Sequence, residues 1–192
     1  MQQTDKETFY PKSKKDWREW LLENHDSKQS IWLIGYKKQS NKPTVSWSDA
    51  VDEALCFGWI DSTRKSIGDD AFIQFFTRRK PNSTWSKINK AKVERLTEDG
   101  LMQKAGFESI EKAKENGSWT ILDEVEELTI PPDLEKALKA NQLAEDFFMG
   151  LSKSVRKMML QWVTFAKRPE TRENRINEIA TLAAQKLKPK QF

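Results

Sequence analysis

Trp59-Ile60-Asp61-Ser62-Thr63-Arg64-Lys65-Ser66-Ile67, Gly68-Asp69-Asp70 and Ala71-Phe72-Ile73-Gln74-Phe75-Phe76-Thr77-Arg78 follow one another without a break. Both flanks are rich in β-branched and aromatic residues, and the Gly-Asp-Asp between them is turn chemistry. The pattern predicts an antiparallel hairpin of strands 59–67 and 71–78. With a three-residue turn, Ile67 pairs with Ala71. Alternate side chains share a face, so Ser62, Arg64 and Ser66 meet Phe72, Gln74 and Phe76 on one side. Ala71, Ile73 and Phe75, on the other side, read as core.

Working towards the N-terminus, Ser46 and Asp49 make a capping box for a helix with Val51, Ala54 and Leu55 on one face, ending near Gly58. Ile31 to Lys38 reads as a strand broken by Asn41-Lys42-Pro43. Ser13 and Asp16 make another capping box, and Trp17, Trp20 and Leu21 give a helix near 13–24. The first eight residues are polar and are expected to fray.

Beyond Pro81-Asn82-Ser83 the strand pattern stops. The spacing predicts helices over 85–98 and 103–116, joined through Gly100. Glu108, Glu111 and Glu115 on the second would meet phosphate repulsion, so the pair reads as an αα-hairpin and not as a DNA-reading motif. Asp123 to Glu127 is acidic, precedes Pro131-Pro132 and reads as a linker. Pro132 suits a helix start. Ser152 caps a stripe of Val155, Met158, Met159, Trp162, Val163 and Ala166, which places Trp162 in the core. Pro169 opens a last helix with Ile176, Ile179, Ala180, Ala183 and Leu187 on one face. The last two long helices are expected to pack rather than trail. The fold class is therefore α+β and helix-rich: a small antiparallel sheet of about three strands with packed helices, then an all-helical C-terminal part. The expected units are 9–82, a helical hairpin at 83–122 packed on it, and 130–190.

Composition sets the bounds. The chain is polar, with a mean hydropathy of −0.78 and 32% charged residues, yet eight Trp argue against disorder. No apolar run nears the ~20 residues of a membrane span. The start, Met1 to Thr8, lacks the apolar core of a secretory signal, and Cys56 alone cannot form an internal disulfide, so a cytoplasmic place is expected. The net charge of +4 permits nucleic-acid binding without arguing for it.

His25 is the single histidine, which excludes multi-histidine metal sites and suits a helix C-terminus. Cys56, near a helix C-terminus, reads as buried and inert. Asp49, Asp52 and Glu53 fall in one turn and read as acids of a solvated helix start. No glycine-rich nucleotide loop or Cys-x-x-Cys is present, and neither cofactor nor metal is expected. Arg78 to Lys87 is the densest basic stretch and contains Trp85, an arrangement that suits phosphates and planar rings. Trp85 also suits the role of a buried anchor for the next helix.

The run Glu53-Ala54-Leu55-Cys56-Phe57-Gly58-Trp59-Ile60-Asp61-Ser62, with Arg64 to Ile67, Phe76-Thr77, Arg79-Lys80-Pro81 and Trp85 to Asn89, resembles the bacteriocin-protection family, also called YdeI- or OmpD-associated (OmdA-like). Trp17-x-x-Trp20-Leu21, Ile31-Trp32-Leu33 and Ala166 to Arg172 extend the resemblance over about residues 9–182. It implies a small bacterial protein tied to protection against bacteriocins or cationic peptides at the envelope. It implies no reaction and no catalytic residues. Arg78 stands where the family has proline, and Phe75 where it often has a basic residue; Arg79 matches a family arginine.

The reading that follows is a non-catalytic stress- or bacteriocin-protection protein that binds a small anionic or planar ligand, or a protein partner. Its expected pocket is Trp59, Asp61, Arg64, Arg79 and Trp85, with Ser86 and Asn89 beside it. An enzyme using Asp61 with Arg64 or Arg79 is the alternative. A weak nucleic-acid binder comes last, since only the pI and the loop at 78–87 favour it.

Overall fold

The computed structural model describes residues 7–192. The fraying expected at the N-terminus falls mostly on residues outside that range, while Thr8–Phe9 form a short strand, β1. The chain divides into two compact units. One holds residues up to Ser83 and Ile88–Trp119; the other holds Thr84–Lys87 and Thr120–Phe192.

In the first unit, the hairpin of β3 (Trp59–Ile67) and β4 (Ala71–Arg78) forms with Ile67 opposite Ala71. β2 (Ser30–Tyr36) lies antiparallel to β4, and β1 runs parallel along β2, so the sheet order is β1-β2-β4-β3. The three long strands are antiparallel as expected; β1 adds one parallel edge. Helix α1 (Lys14–Asn24) is capped by Ser13, whose hydroxyl accepts from the Asp16 N–H at 3.2 Å. Ser46 caps α2 (Trp47–Cys56) in the same way. The buried Trp17 indole donates to the Ala50 carbonyl at 3.0 Å and tilts against Phe76 at 5.4 Å, so α1, α2 and the sheet meet at one ring.

The two faces of the hairpin differ from expectation in two ways. A bulge between Asp61 and Arg64 inserts a residue in β3, so Asp61, and not Ser62, stands opposite Phe76. The helices also cover the face of Phe72, Gln74 and Phe76. Phe76 and Gln74 are buried there together with Ile31 and Leu33 of β2. Ile73 is buried on the opposite face, but Ala71 and Phe75 remain partly exposed. Both faces of β4 are apolar, so β4 alone cannot say which the helices cover.

Asp52 and Glu53 are not solvated. They are 4% and 1% exposed on a helix with neighbours on several sides. Asp52 pairs with Lys92 and Arg95 of α3 (Lys87–Glu98), and Glu53 pairs with Arg18 at 2.6 Å and Lys14 at 3.3 Å. Only Asp49 keeps the capping role. Helix α4 (Lys104–Glu115) follows Gly100 and seats Gly106 on the end of α2, where a Cβ would come 2.3 Å from the Cys56 carbonyl oxygen.

The second unit packs α5 (Asp123–Glu126), α6 (Pro132–Lys139), α7 (Gln142–Gly150), α8 (Lys153–Thr164) and α9 (Pro169–Ala184) around one core. Helices α8 and α9 are part of that core and do not trail. The acidic stretch read as a linker forms α5. Its Val125 is buried and its Glu126 pairs with Lys157. The buried line of α8 is Met159, Leu160 and Val163; Met158 is 41% exposed, and Trp162 sits at the core's edge against Phe192. None of the described helices is long and apolar enough to cross a membrane.

Candidate functional site

A cleft of about 190 Å³ opens in the first unit where four chain segments converge. Its parts are the end of α1 at His25-Asp26, the turn Phe57-Gly58, the end of β4 with Arg79-Lys80, and one face of α4 bearing Ser109 and Lys112. Short-range geometry assembles it. Gly58 takes φ +71°, which ends α2, and a Cβ there would stand 2.8 Å from the Ala105 carbonyl oxygen. Only glycine lets α4 close against the turn. The Arg79 N–H donates to the Gly58 carbonyl at 2.9 Å, which holds the basic run against the same turn.

The His25 carbonyl organises the second wall. It accepts from the Arg78 guanidinium at 2.6 Å and from the Trp59 indole at 3.3 Å. The His25 ring lies 5.2 Å from the Phe57 ring, with Nδ1 2.8 Å from the Leu21 carbonyl and Nε2 3.3 Å from the Asp26 carboxylate.

The charge balance is positive. Arg78, Arg79, Lys80 and Lys112 line the cleft against Asp26 and Glu108, four cations to two carboxylates. Asp26 is itself 3.8 Å from Arg78. Burial pushes the Arg79 guanidinium down to about 10, partly offset by the Asp61 carboxylate. Arg79 therefore stays charged at neutral pH, and an anion brought beside it would relieve part of the cost of desolvation. Ser109 directs its hydroxyl to the Gly106 carbonyl at 2.8 Å.

The residues expected as one pocket stand in several places. Trp59 is fully buried, edge-on to Trp20. Asp61 accepts from the Trp47 indole at 2.9 Å and from the Gln74 amide at 3.1 Å, on the helix-covered face of the sheet. Arg64 stacks its guanidinium 3.6 Å over the Phe72 ring, on the exposed half of β3. Within this set, Asp61 and Arg79 are close enough to interact electrostatically. Asn89 is half-buried in α3, whereas Trp85 and Ser86 belong to the second unit, where Trp85 is fully buried.

His25, Gly58, Arg78, Lys80, Ser109 and Lys112 are among the cleft residues that the expected pocket did not include. A signal was present for Arg78, a basic residue adjoining Arg79 at the end of a strand. Lys112 carried none, being one of several lysines on an amphipathic helix. Cys56 lies outside the cleft; burial and the neighbouring Glu53 push its thiol up to about 11.

Residues 9–109 match a domain of unknown function (DUF8412), and residues 127–186 match the bacteriocin-protection, YdeI or OmpD-associated family. The resemblance read over residues 9–182 is thus matched over its C-terminal part. The central run from Glu53 to Asn89 falls in the first match, so the family arginine assigned to Arg79 lies outside the second. No curated protein and no solved structure matches the chain.

Proposed function

The chain belongs to the family of the domain of unknown function that spans residues 9–109, and from that premise we propose that its first unit is a non-catalytic receptor for a small anionic ligand. The bacteriocin-protection match at residues 127–186 supports a protective role for the whole chain. The observation that carries the reading is the cleft itself: a built cavity with four cations, one of them a guanidinium held down by burial. Guanidinium and ammonium groups converging on one small volume suit a carboxylate or phosphate. The Phe57 ring lines the same cleft and suits a ligand with a planar or apolar part. Asp61 supports a structural role over a catalytic one, since Trp47 and Gln74 both donate to its carboxylate.

The test is a thermal-shift series with inorganic phosphate, citrate and benzoate at constant ionic strength. A probe at about ten times its Kd stabilises by about 1.4 kcal/mol, or roughly 3–6 °C for a chain of this size. Lys80→Ala and Lys112→Ala leave the buried framework intact and should each reduce that shift by at least half. Equal shifts in wild type and both variants, or no shift with any probe, would rule out the cleft as an anion site.

A further inference from the structure

The sheet of the first unit has a second face, and its composition is unusual for a surface. Trp32, Ile34 and Tyr36 of β2 stand in register with Phe75, Ile73 and Ala71 of β4. The long helices of this unit lie on the other side: α1 and α2 cover Phe76 and Gln74, and α3 and α4 attach to α2. Trp32, Tyr36 and Phe75 are partly exposed, so the face is a platform and not an interior. Trp32 and Phe75 have ring centroids 4.7 Å apart across the two central strands. Tyr10 meets Tyr36 edge-on at 5.1 Å, which extends the aromatic surface along β2.

Among the described strand positions of this face, charge has one sign. The Lys65 ammonium lies 5.4 Å over the Trp32 ring, and the Lys42 ammonium lies 4.4 Å over the Tyr36 ring. The described strand positions that share the face carry no Asp or Glu: they include Trp32, Ile34 and Tyr36, then Ala71, Ile73 and Phe75, with Lys65 and Ile67 of β3 beside them. A second copy docked here about a two-fold axis would bring lysines into a self-complementary patch with no carboxylate at the described strand positions to answer them. A polyanion with exposed π-faces matches both features at once, because rings stack on bases and ammoniums reach phosphates.

We propose that this face binds single-stranded nucleic acid, with bases on Trp32, Phe75 and Tyr36 and backbone phosphates on Lys65 and Lys42. Little in the sequence points to such a partner, because a modest net charge hides a local patch and because Phe75 and Ile73 read as core. The proposal is independent of the anion cleft, which lies at the opposite end of β4 from the Ala71 turn.

Fluorescence anisotropy with labelled oligo(dT) and oligo(U) of about 12 nucleotides, near a single platform's site size, tests it at about 50–200 mM salt. Both oligomers should bind and a duplex of equal length should bind more weakly. Trp32→Leu should weaken binding by at least about fivefold, the loss of one stacked base. Lys65→Gln, at an exposed position, should lower the slope of log affinity against log salt by about 0.7, one phosphate contact. That second variant keeps the test decisive should Trp32→Leu fail to fold. The proposal is overturned by no binding at low salt, by equal affinity for duplex, or by binding that ignores Lys65→Gln but is lost in Lys80→Ala. A dimer in solution that Phe75→Leu dissociates would also overturn it, since a second copy would then occupy the face.

Discussion

Glu53→Gln probes the polar framework that holds the first unit together. Glu53 is 1% exposed, and its carboxylate accepts from Arg18 at 2.6 Å with Lys14 at 3.3 Å. The substitution keeps the volume and removes the charge. Breaking a buried pair by removing one partner costs about 3–5 kcal/mol when the other is left desolvated. Here the loss is smaller: the Arg18 side chain is 24% exposed and keeps its bond to the Leu101 carbonyl at 2.8 Å, so the expected cost is about 2–3 kcal/mol. Replacing both partners, Arg18→Met with Glu53→Leu, should recover stability to within about 1–2 kcal/mol of wild type. Urea unfolding followed by tryptophan fluorescence is the assay, because Trp17, Trp20, Trp32, Trp47, Trp59 and Trp119 all lie in the first unit. A Glu53→Gln cost below about 0.5 kcal/mol would place the pair among ordinary surface salt bridges and deny it a framework role.

Gly58→Ala combines a positive φ with a Cβ 2.8 Å from the Ala105 carbonyl, so it should cost more than about 1 kcal/mol by urea unfolding and distort the cleft. The Cys56 thiol is neutral in the folded chain up to about 11 but ionises near 9.0 when exposed, so stability should fall as pH rises between those values; the same burial should leave Cys56 unreactive to alkylating reagent at pH 8, about where free thiols react, until the unit unfolds. Trp162 sits at the edge of its core with the Arg175 guanidinium 5.0 Å over its ring, so Trp162→Ala should cost about 1–2 kcal/mol, less than the 3–5 of a fully buried tryptophan, by chemical denaturation.

Local signals were legible where the physics is local. Gly68-Asp69-Asp70 placed the hairpin turn, and Ser13, Ser46 and Ser152 each cap the helix predicted to follow, because a cap is a contact across three residues. The bulge after Asp61 was not legible, since Ser62 and Thr63 fit a regular strand as well as a bulged one. It decides on which face Asp61 lies. Burial of Asp52 and Glu53 depends on cations 40 residues downstream and 35 residues upstream, and a helical turn of acids looks the same with or without them. The cleft is a long-range object of the same kind: His25, Gly58, Arg79 and Lys112 meet only after α4 folds back onto the end of α2. Residue types alone grouped Asp61, Arg64 and Arg79. Arg64 lies about five positions along β3 from Trp59, the partner of Arg78, or roughly 17 Å at strand rise.

We propose that the cleft of the first unit receives an anion. An amide NMR titration with inorganic phosphate at constant ionic strength tests it most directly, residue by residue. Anion binding in the cleft should give saturable shifts clustered at Gly58, Arg79, Lys80, Ser109 and Lys112, with the Arg79 side-chain N–H moving alongside them. Non-saturating shifts scattered over the surface lysines, with Gly58 and Ser109 unmoved, would contradict it.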